Sequence, residues 1–167
     1  MFIIFMGVSG CGKTTIGKKT ADVFGVQYFE GDEYHPQENV EKMSQGIPLT
    51  DEDRKGWLDT LSKLIRDTLD AGQSGVLSCS ALKQKYRDRL CVDPDLVRFI
   101  YLKGSFGLIQ SRMKQRTDHY MPANLLASQF TTLEEPDDVF TVNIDQPPEE
   151  IIDEVVSYLT RIGVANA

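Results

Sequence analysis

The sequence predicts an α/β fold: a five-stranded parallel sheet with helices on both faces. Short apolar runs alternate with segments of helical spacing along the chain, the pattern of repeated βαβ units. The first run, Phe2-Ile3-Ile4-Phe5-Met6, is apolar throughout, as a strand covered on both faces requires. The first three runs are followed by Gly7, Asp32 and Ser80, so the polar punctuation falls beyond the C-terminal strand ends, where such sheets bind ligands.

Taken in order, the first strand leads into Gly7-Val8-Ser9-Gly10-Cys11-Gly12-Lys13-Thr14-Thr15, with a helix expected to begin near Lys13. Gln27-Tyr28-Phe29-Glu30 is the second strand, ahead of Gly31-Asp32. Leu58, Leu61, Leu64, Ile65 and Leu69 recur at helical spacing, and Gly72 follows as a stop. Val76 to Cys79, Phe99 to Leu102 and Val139 to Ile144 complete the strands. Pro147-Pro148 open a final helix with Ile151, Ile152, Val155, Val156, Leu159 and Ile162 on its apolar side. The stretches Asp32–Trp57 and Arg112–Pro136 break the alternation with polar residues. The expectation is one domain over residues 1–167, with a substrate-binding segment at about 32–57 and a lid at about 116–136.

Composition excludes several classes. The chain has 167 residues, 41% hydrophobic and 26% charged, ordinary for a globular domain. Its net charge of −7 offers no basic surplus for a phosphate backbone, so nucleic acid is excluded as a partner. No apolar stretch approaches a membrane span, and the run at 2–6 is too short for a signal peptide, which makes the cytoplasm the expected setting. Three cysteines, Cys11, Cys79 and Cys91, show no C-x-x-C spacing, and the two histidines have no partners at ligand spacing, so neither a disulfide framework nor a zinc site is indicated.

The motif from Gly7 to Thr14 is a phosphate-binding loop. Its glycines let backbone N–H groups turn around an anion, Lys13 adds a point charge for β- and γ-phosphates, and the Thr14 hydroxyl suits Mg²⁺. The helix behind the loop directs its positive end at the same anion. Cys11 lies between two readings: a thiol drawn toward thiolate by Lys13 and the loop amides, or a small residue that fits the loop. The loop alone leaves switches, motors and small-molecule kinases open. No N-K-x-D guanine reader is present, and the strand Val76-Leu77-Ser78-Cys79 does not end in Asp. The acid must come from elsewhere, with Asp32 the best candidate and Glu30 nearby. This arrangement resembles the shikimate and nucleoside-monophosphate kinase group of P-loop folds.

Longer segments carry a closer resemblance. These are Gly31-Asp32-Glu33-Tyr34-His35-Pro36, Asn39, Lys42-Met43, Gly46 to Asp51, Asp53-Arg54 and Trp57. Ser78 to Lys83, Tyr86-Arg87-Asp88 and Leu90 belong to it, as do His119 to Pro122, Leu125 to Phe130, Leu133-Glu134 and Pro136. Cys11 stands where serine is common, Glu30 where aspartate is, Tyr120 where phenylalanine is, and Cys91 where arginine is. The resemblance is to the gluconate kinase family and covers essentially the whole chain. It implies transfer of the ATP γ-phosphoryl group to D-gluconate, Mg²⁺ as cofactor and a homodimer.

The residues expected to carry that chemistry follow. Gly7 to Thr15 hold ATP, with Lys13 neutralising the moving phosphoryl group and Thr14 on the metal. Asp32, at a strand end, is the candidate general base; a turn or capping aspartate is the alternative. Arg54 is implied as the carboxylate anchor, against a solvated helix start in Asp51-Glu52-Asp53-Arg54-Lys55. Lys83 and Arg87, four apart, share a helical face and either touch substrate or form a solvated pair. Arg112 and Arg116, likewise four apart, direct two cations at the phosphates, Arg116 as catalytic group. His35 and His119 are polyol contacts or structural hydrogen bonders, Trp57 packs the substrate helix, and Asp145 to Pro148 border adenine. Two alternatives stay open: a kinase for another hydroxy acid or a nucleoside monophosphate, and a nucleotide-binding regulator without transfer activity.

Overall fold

The computed structural model describes residues 1–115 and 123–164. The chain runs β1 (Phe2–Met6), α1 (Lys13–Phe24), β2 (Gln27–Glu30), a 3-10 turn (Gly31–Tyr34), α2 (Gln37–Ser44) and α3 (Asp51–Asp70). It continues through β3 (Gly75–Ser78), α4 (Gln84–Leu90), β4 (Val97–Lys103), α5 (Phe106–Lys114), α6 (Ala123–Thr132), β5 (Phe140–Asn143) and α7 (Pro148–Arg161). The strands form one five-stranded sheet in the order β2-β3-β1-β4-β5, every neighbouring pair parallel, as the alternation predicted.

The all-apolar β1 takes the central place, and all of its side chains are buried. Side chains alternate across a strand. Ile3 and Phe5 therefore enter the core packed by α1, α5 and α7, through Ile16, Phe24, Ile109, Ile151, Val155 and Leu159. Phe2, Ile4 and Met6 enter the opposite core, built with α3 and α4 through Trp57, Leu61, Ile65, Tyr86 and Leu90. One apolar run thus serves two cores.

The chain leaves β1 toward β2 on one side and leaves β3 toward β4 on the other. That reversal opens a crevice beyond the C-terminal ends of β1 and β3. Gly7 N–H donates to Ser80 O at 3.2 Å across it, tying the two strand exits together.

Helix α3 starts at Asp51, well before the first apolar marker Leu58, because a capping box begins it. Thr50 Oγ1 accepts the Asp53 N–H at 3.1 Å, and Asp53 returns a carboxylate oxygen to Thr50 N–H at 2.8 Å. Its polar first turns carry no periodic signal, so only the apolar half was visible from spacing. Among the described residues no helix is long and apolar enough to cross a membrane.

Candidate active site

The loop between β1 and α1 follows its glycines. Gly7, Gly10 and Gly12 hold φ of 140, 80 and 99°, in the region that favours glycine, and Gly12 caps α1. Space is short as well: a Cβ on Gly7 would lie 2.9 Å from Leu102 O, and one on Gly10 2.8 Å from Met113 Cγ. Among the described residues the amides of Gly10, Gly12, Lys13 and Thr14 donate to no carbonyl. They lie at the positive end of α1, a donor set for an anion. Lys13 Nζ lies over the loop, donating to Gly7 O at 3.1 Å and Val8 O at 2.9 Å.

Cys11 Sγ lies under the loop, 4.0 Å from Lys13 Nζ. Its side chain is 1% exposed and packs in the α1-side core.

The Thr14 hydroxyl donates to Glu30 Oε2 at 2.7 Å, and Tyr28 OH donates to the same oxygen at 2.6 Å. Burial, then the Glu30 hydrogen bond, pushes the Tyr28 phenol above its usual range, so it stays a donor. With its proton on Glu30, Thr14 keeps a lone pair for a cation. A hydroxyl beside a carboxylate is a hard-oxygen set that fits Mg²⁺.

Beyond β2 the 3-10 turn lies against β3. A Cβ on Gly31 would stand 2.5 Å from Ser78 O, so this close approach requires glycine, and Trp57 Nε1 donates to Gly31 O at 2.8 Å. The turn leaves Asp32 with a side chain 78% exposed. His35 is buried against Trp57, ring centroids 4.1 Å apart. Asn39 Nδ2 lies 3.2 Å from His35 Nδ1 and donates to Asp53 O at 2.8 Å. An amide nitrogen only donates, so His35 Nδ1 accepts and Nε2 carries the hydrogen. Burial, helped by the Arg54 charge, lowers the His35 pKa to about 4, so the ring is neutral at physiological pH. Its 4.0 Å approach to Asp32 is then a polar contact rather than an ion pair.

Arg54, on the first turn of α3, donates to Leu49 O and lies 5.6 Å from the Tyr86 ring centre. Its neighbours are spent on structure: Asp53 in the capping box and on Lys42 at 2.7 Å, Asp51 on Lys83 at 2.9 Å and on Lys85 and Tyr86. Lys85, then Tyr86 and Lys83, hold the Asp51 carboxyl below the usual range.

One cleft collects Ser9, Lys13, Asp32, His35, Arg54 and Trp57, with Ser80 and Gln129. The cleft is open to solvent at its mouth.

Other expected residues lie elsewhere. The helical face proposed for Lys83 and Arg87 does not form, because Lys83 is the extended N-cap of α4. Arg87 turns inward, 3% exposed, with Nη1 on Ala81 O at 3.0 Å and Leu82 O at 3.2 Å. Neither lines the cleft. Arg112 donates to Ile144 O at 2.7 Å, just after β5 and beside Asp145–Pro148. Arg116 and His119 lie outside the described residues.

In sequence and fold the chain matches known proteins. The shikimate kinase family model covers residues 9–160. A gluconokinase of Gluconobacter oxydans is 42% identical over 94% of this chain and 90% of its own. The thermosensitive gluconokinase of Escherichia coli is 45% identical over 85% of this chain and 77% of its own.

The chain belongs to the gluconokinase family.

Solved structures agree. A gluconokinase from Sinorhizobium meliloti superposes with a TM-score of 0.88 at 43% identity, over 96% of this chain and 91% of that one. A sugar kinase from a Janibacter species reaches 0.90 at 44%, over 99% and 98%. A shikimate kinase from Aquifex aeolicus, at 0.61 and 17% identity, shares the fold alone. Within this gluconokinase-family site, sequence reasoning missed Gln129. It lies in the run Leu125–Phe130, where its local pattern carries no sign of a partner 120 residues away.

Proposed function

We propose that this protein transfers the γ-phosphoryl group of ATP to a hydroxyl of D-gluconate, giving 6-phospho-D-gluconate and ADP. The observation that carries the reading is the single cleft in which Lys13 of the phosphate loop, Asp32 and Arg54 meet. A phosphoryl donor site, a base and a carboxylate anchor are what such a transfer needs.

The loop amides and Lys13 bind the β- and γ-phosphates and offset charge on the moving group. The acceptor oxygen attacks the γ-phosphorus, the bond to the β–γ bridging oxygen breaks, and the acceptor proton passes to the Asp32 carboxylate. His35, with Nε2 4.0 Å from Asp32 Oδ1, flanks that carboxylate. Arg54 orients gluconate through its carboxylate. Thr14 with Glu30 would hold Mg²⁺, which when bound neutralises phosphate charge. Arg112 and Arg116 supply cations on the lid side. A cytoplasmic homodimer completes the reading, supported by family resemblance.

The test is ADP release measured with gluconate, shikimate and nucleoside monophosphates as acceptors. Turnover confined to gluconate is expected. No gluconate-dependent release, or faster release with another acceptor, overturns the assignment.

A further inference from the structure

We infer that Gln129 is a specificity-determining residue of the acceptor pocket, its side-chain amide oriented by the phosphate loop so that an N–H₂ donor faces the acceptor. The inference rests on the acceptor-phosphorylating reading above and assigns a residue that the reading leaves unused. Gln129 lies on α6, half-buried, and lines the cleft with Lys13, Asp32 and Arg54. Its Oε1 accepts the backbone N–H of Ser9 at 2.6 Å.

That bond settles which end of the amide is which. A backbone N–H only donates, so the group facing it must be the carbonyl oxygen, and the amide nitrogen is directed elsewhere. Among the described residues Nε2 donates to no protein acceptor. A glutamine amide whose oxygen is committed offers hydrogens alone to whatever enters beside it. Hydroxyl and carboxylate oxygens of a polyhydroxy acid accept such hydrogens; an apolar group leaves them unpaired. Discrimination by hydrogen-bond complementarity exceeds what shape alone gives.

The same bond sets distance. Ser9 belongs to the loop that binds the donor phosphates, and Gln129 to the wall that meets the acceptor. The Ser9 N–H is committed to Gln129, while the amides of Gly10, Gly12, Lys13 and Thr14 have no carbonyl partners among the described residues. The fastener therefore does not compete with those donors, and it places the acceptor wall in register with the γ-phosphate.

Two variants separate donor from fastener. Gln129→Glu keeps shape and an oxygen for Ser9 N–H but has no N–H to give and adds negative charge. Gln129→Met removes both functions. Steady-state kinetics, with thermal melts confirming folding, are expected to show Gln129→Glu raising the gluconate KM about tenfold or more with the ATP KM within about twofold of wild type. Gln129→Met is expected to raise the gluconate KM at least as much and to lower kcat as well. If Gln129→Glu keeps a wild-type gluconate KM while Gln129→Met is impaired, Gln129 is a fastener only and the inference fails. If wild type instead turns over another acceptor of the panel, the functional reading fails separately. The same comparison is then made on that acceptor, and an unchanged acceptor KM in Gln129→Glu overturns the inference.

Discussion

His35 lies face to face with Trp57, planes 16° from parallel and centroids 4.1 Å apart, and Trp57 in turn donates to Gly31 O at 2.8 Å. The stack is the floor on which the Asp32 turn rests. It also removes His35 from water, and its chemistry follows from that burial.

Stability should therefore depend on pH in a window set by His35. The folded ring has its pKa lowered to about 4 from the usual 6.5. As pH falls through 6.5 the unfolded chain takes up a proton that the folded ring refuses until about 4. The unfolded state binds more protons there, so folding stability is lost as pH drops across the window. Asp51 and Asp53, held below the usual 3.8, act lower, where unfolded carboxylates protonate. Urea unfolding at stepped pH is expected to give a steeper loss for wild type than for His35→Gln. Equal slopes would mean that His35 does not stay neutral in the folded state.

Asp32 and Arg54 line one cleft yet should fail differently. Asp32→Asn keeps the shape but cannot take the acceptor proton, and kcat should fall about 10²- to 10⁴-fold with a nearly unchanged ATP KM. Arg54→Lys keeps charge but loses the planar fork. Its gluconate KM should rise roughly ten- to hundredfold, the equivalent of ~1.5–3 kcal/mol for charge-assisted hydrogen bonds. Initial-rate kinetics over both substrates check the split. An Asp32→Asn enzyme near wild-type kcat would return Asp32 to the role of a turn residue.

Thiol labelling should find Cys11 silent. Cys11 and Cys79 are buried and Cys91 is partly exposed. Burial pushes the Cys79 thiol up to about 12 and raises Cys91 as well. A disulfide reagent on the native protein should modify at most one thiol quickly, Cys91, and all three only after unfolding. Mass mapping decides it; fast labelling of Cys11 would mean that the loop opens far enough to present its sulfur.

Much of this was legible because the physics was local. The apolar run Phe2–Met6 has nowhere to go but the middle of a sheet, and the loop glycines and Lys13 act within a few residues of one another. Asp32 was legible as polar punctuation after a strand. What was not legible depends on direction. Lys83 and Arg87 share a spacing, but whether the helix begins before or after Lys83 decides whether they share a face, and α4 starts at Gln84. Gln129 belongs to the site through a fold-dependent contact with Ser9. Glu30 is visible in the sequence as a neighbour of Asp32 and a departure from the family pattern, while its hydrogen bond to Thr14 comes from the packing of α1 over β2.

Arg87, seen inside the protein, makes the last prediction. Ala81 holds φ of 44°, left-handed for a residue with a Cβ, at a cost of about 1 kcal/mol. Its carbonyl and that of Leu82 both accept from Arg87 Nη1, while Leu82 O also takes the Glu134 N–H at 2.8 Å. One buried guanidinium thus holds the turn that sets Ser80 and Leu82 in the cleft wall. Arg87→Ala leaves Ala81 O without this donor and Leu82 O with the Glu134 N–H alone, and should destabilise by about 2–4 kcal/mol. Ala81→Gly alone should be close to neutral, because the relief of strain is offset by the freer unfolded chain. In the Arg87→Ala background the same glycine should recover part of the loss, since the turn then no longer depends on the guanidinium to hold a strained alanine. A double-mutant cycle from denaturant unfolding measures that coupling. Strict additivity would separate the two residues and leave the strain at Ala81 to be held by the Gly7–Ser80 and Leu82–Glu134 backbone bonds alone.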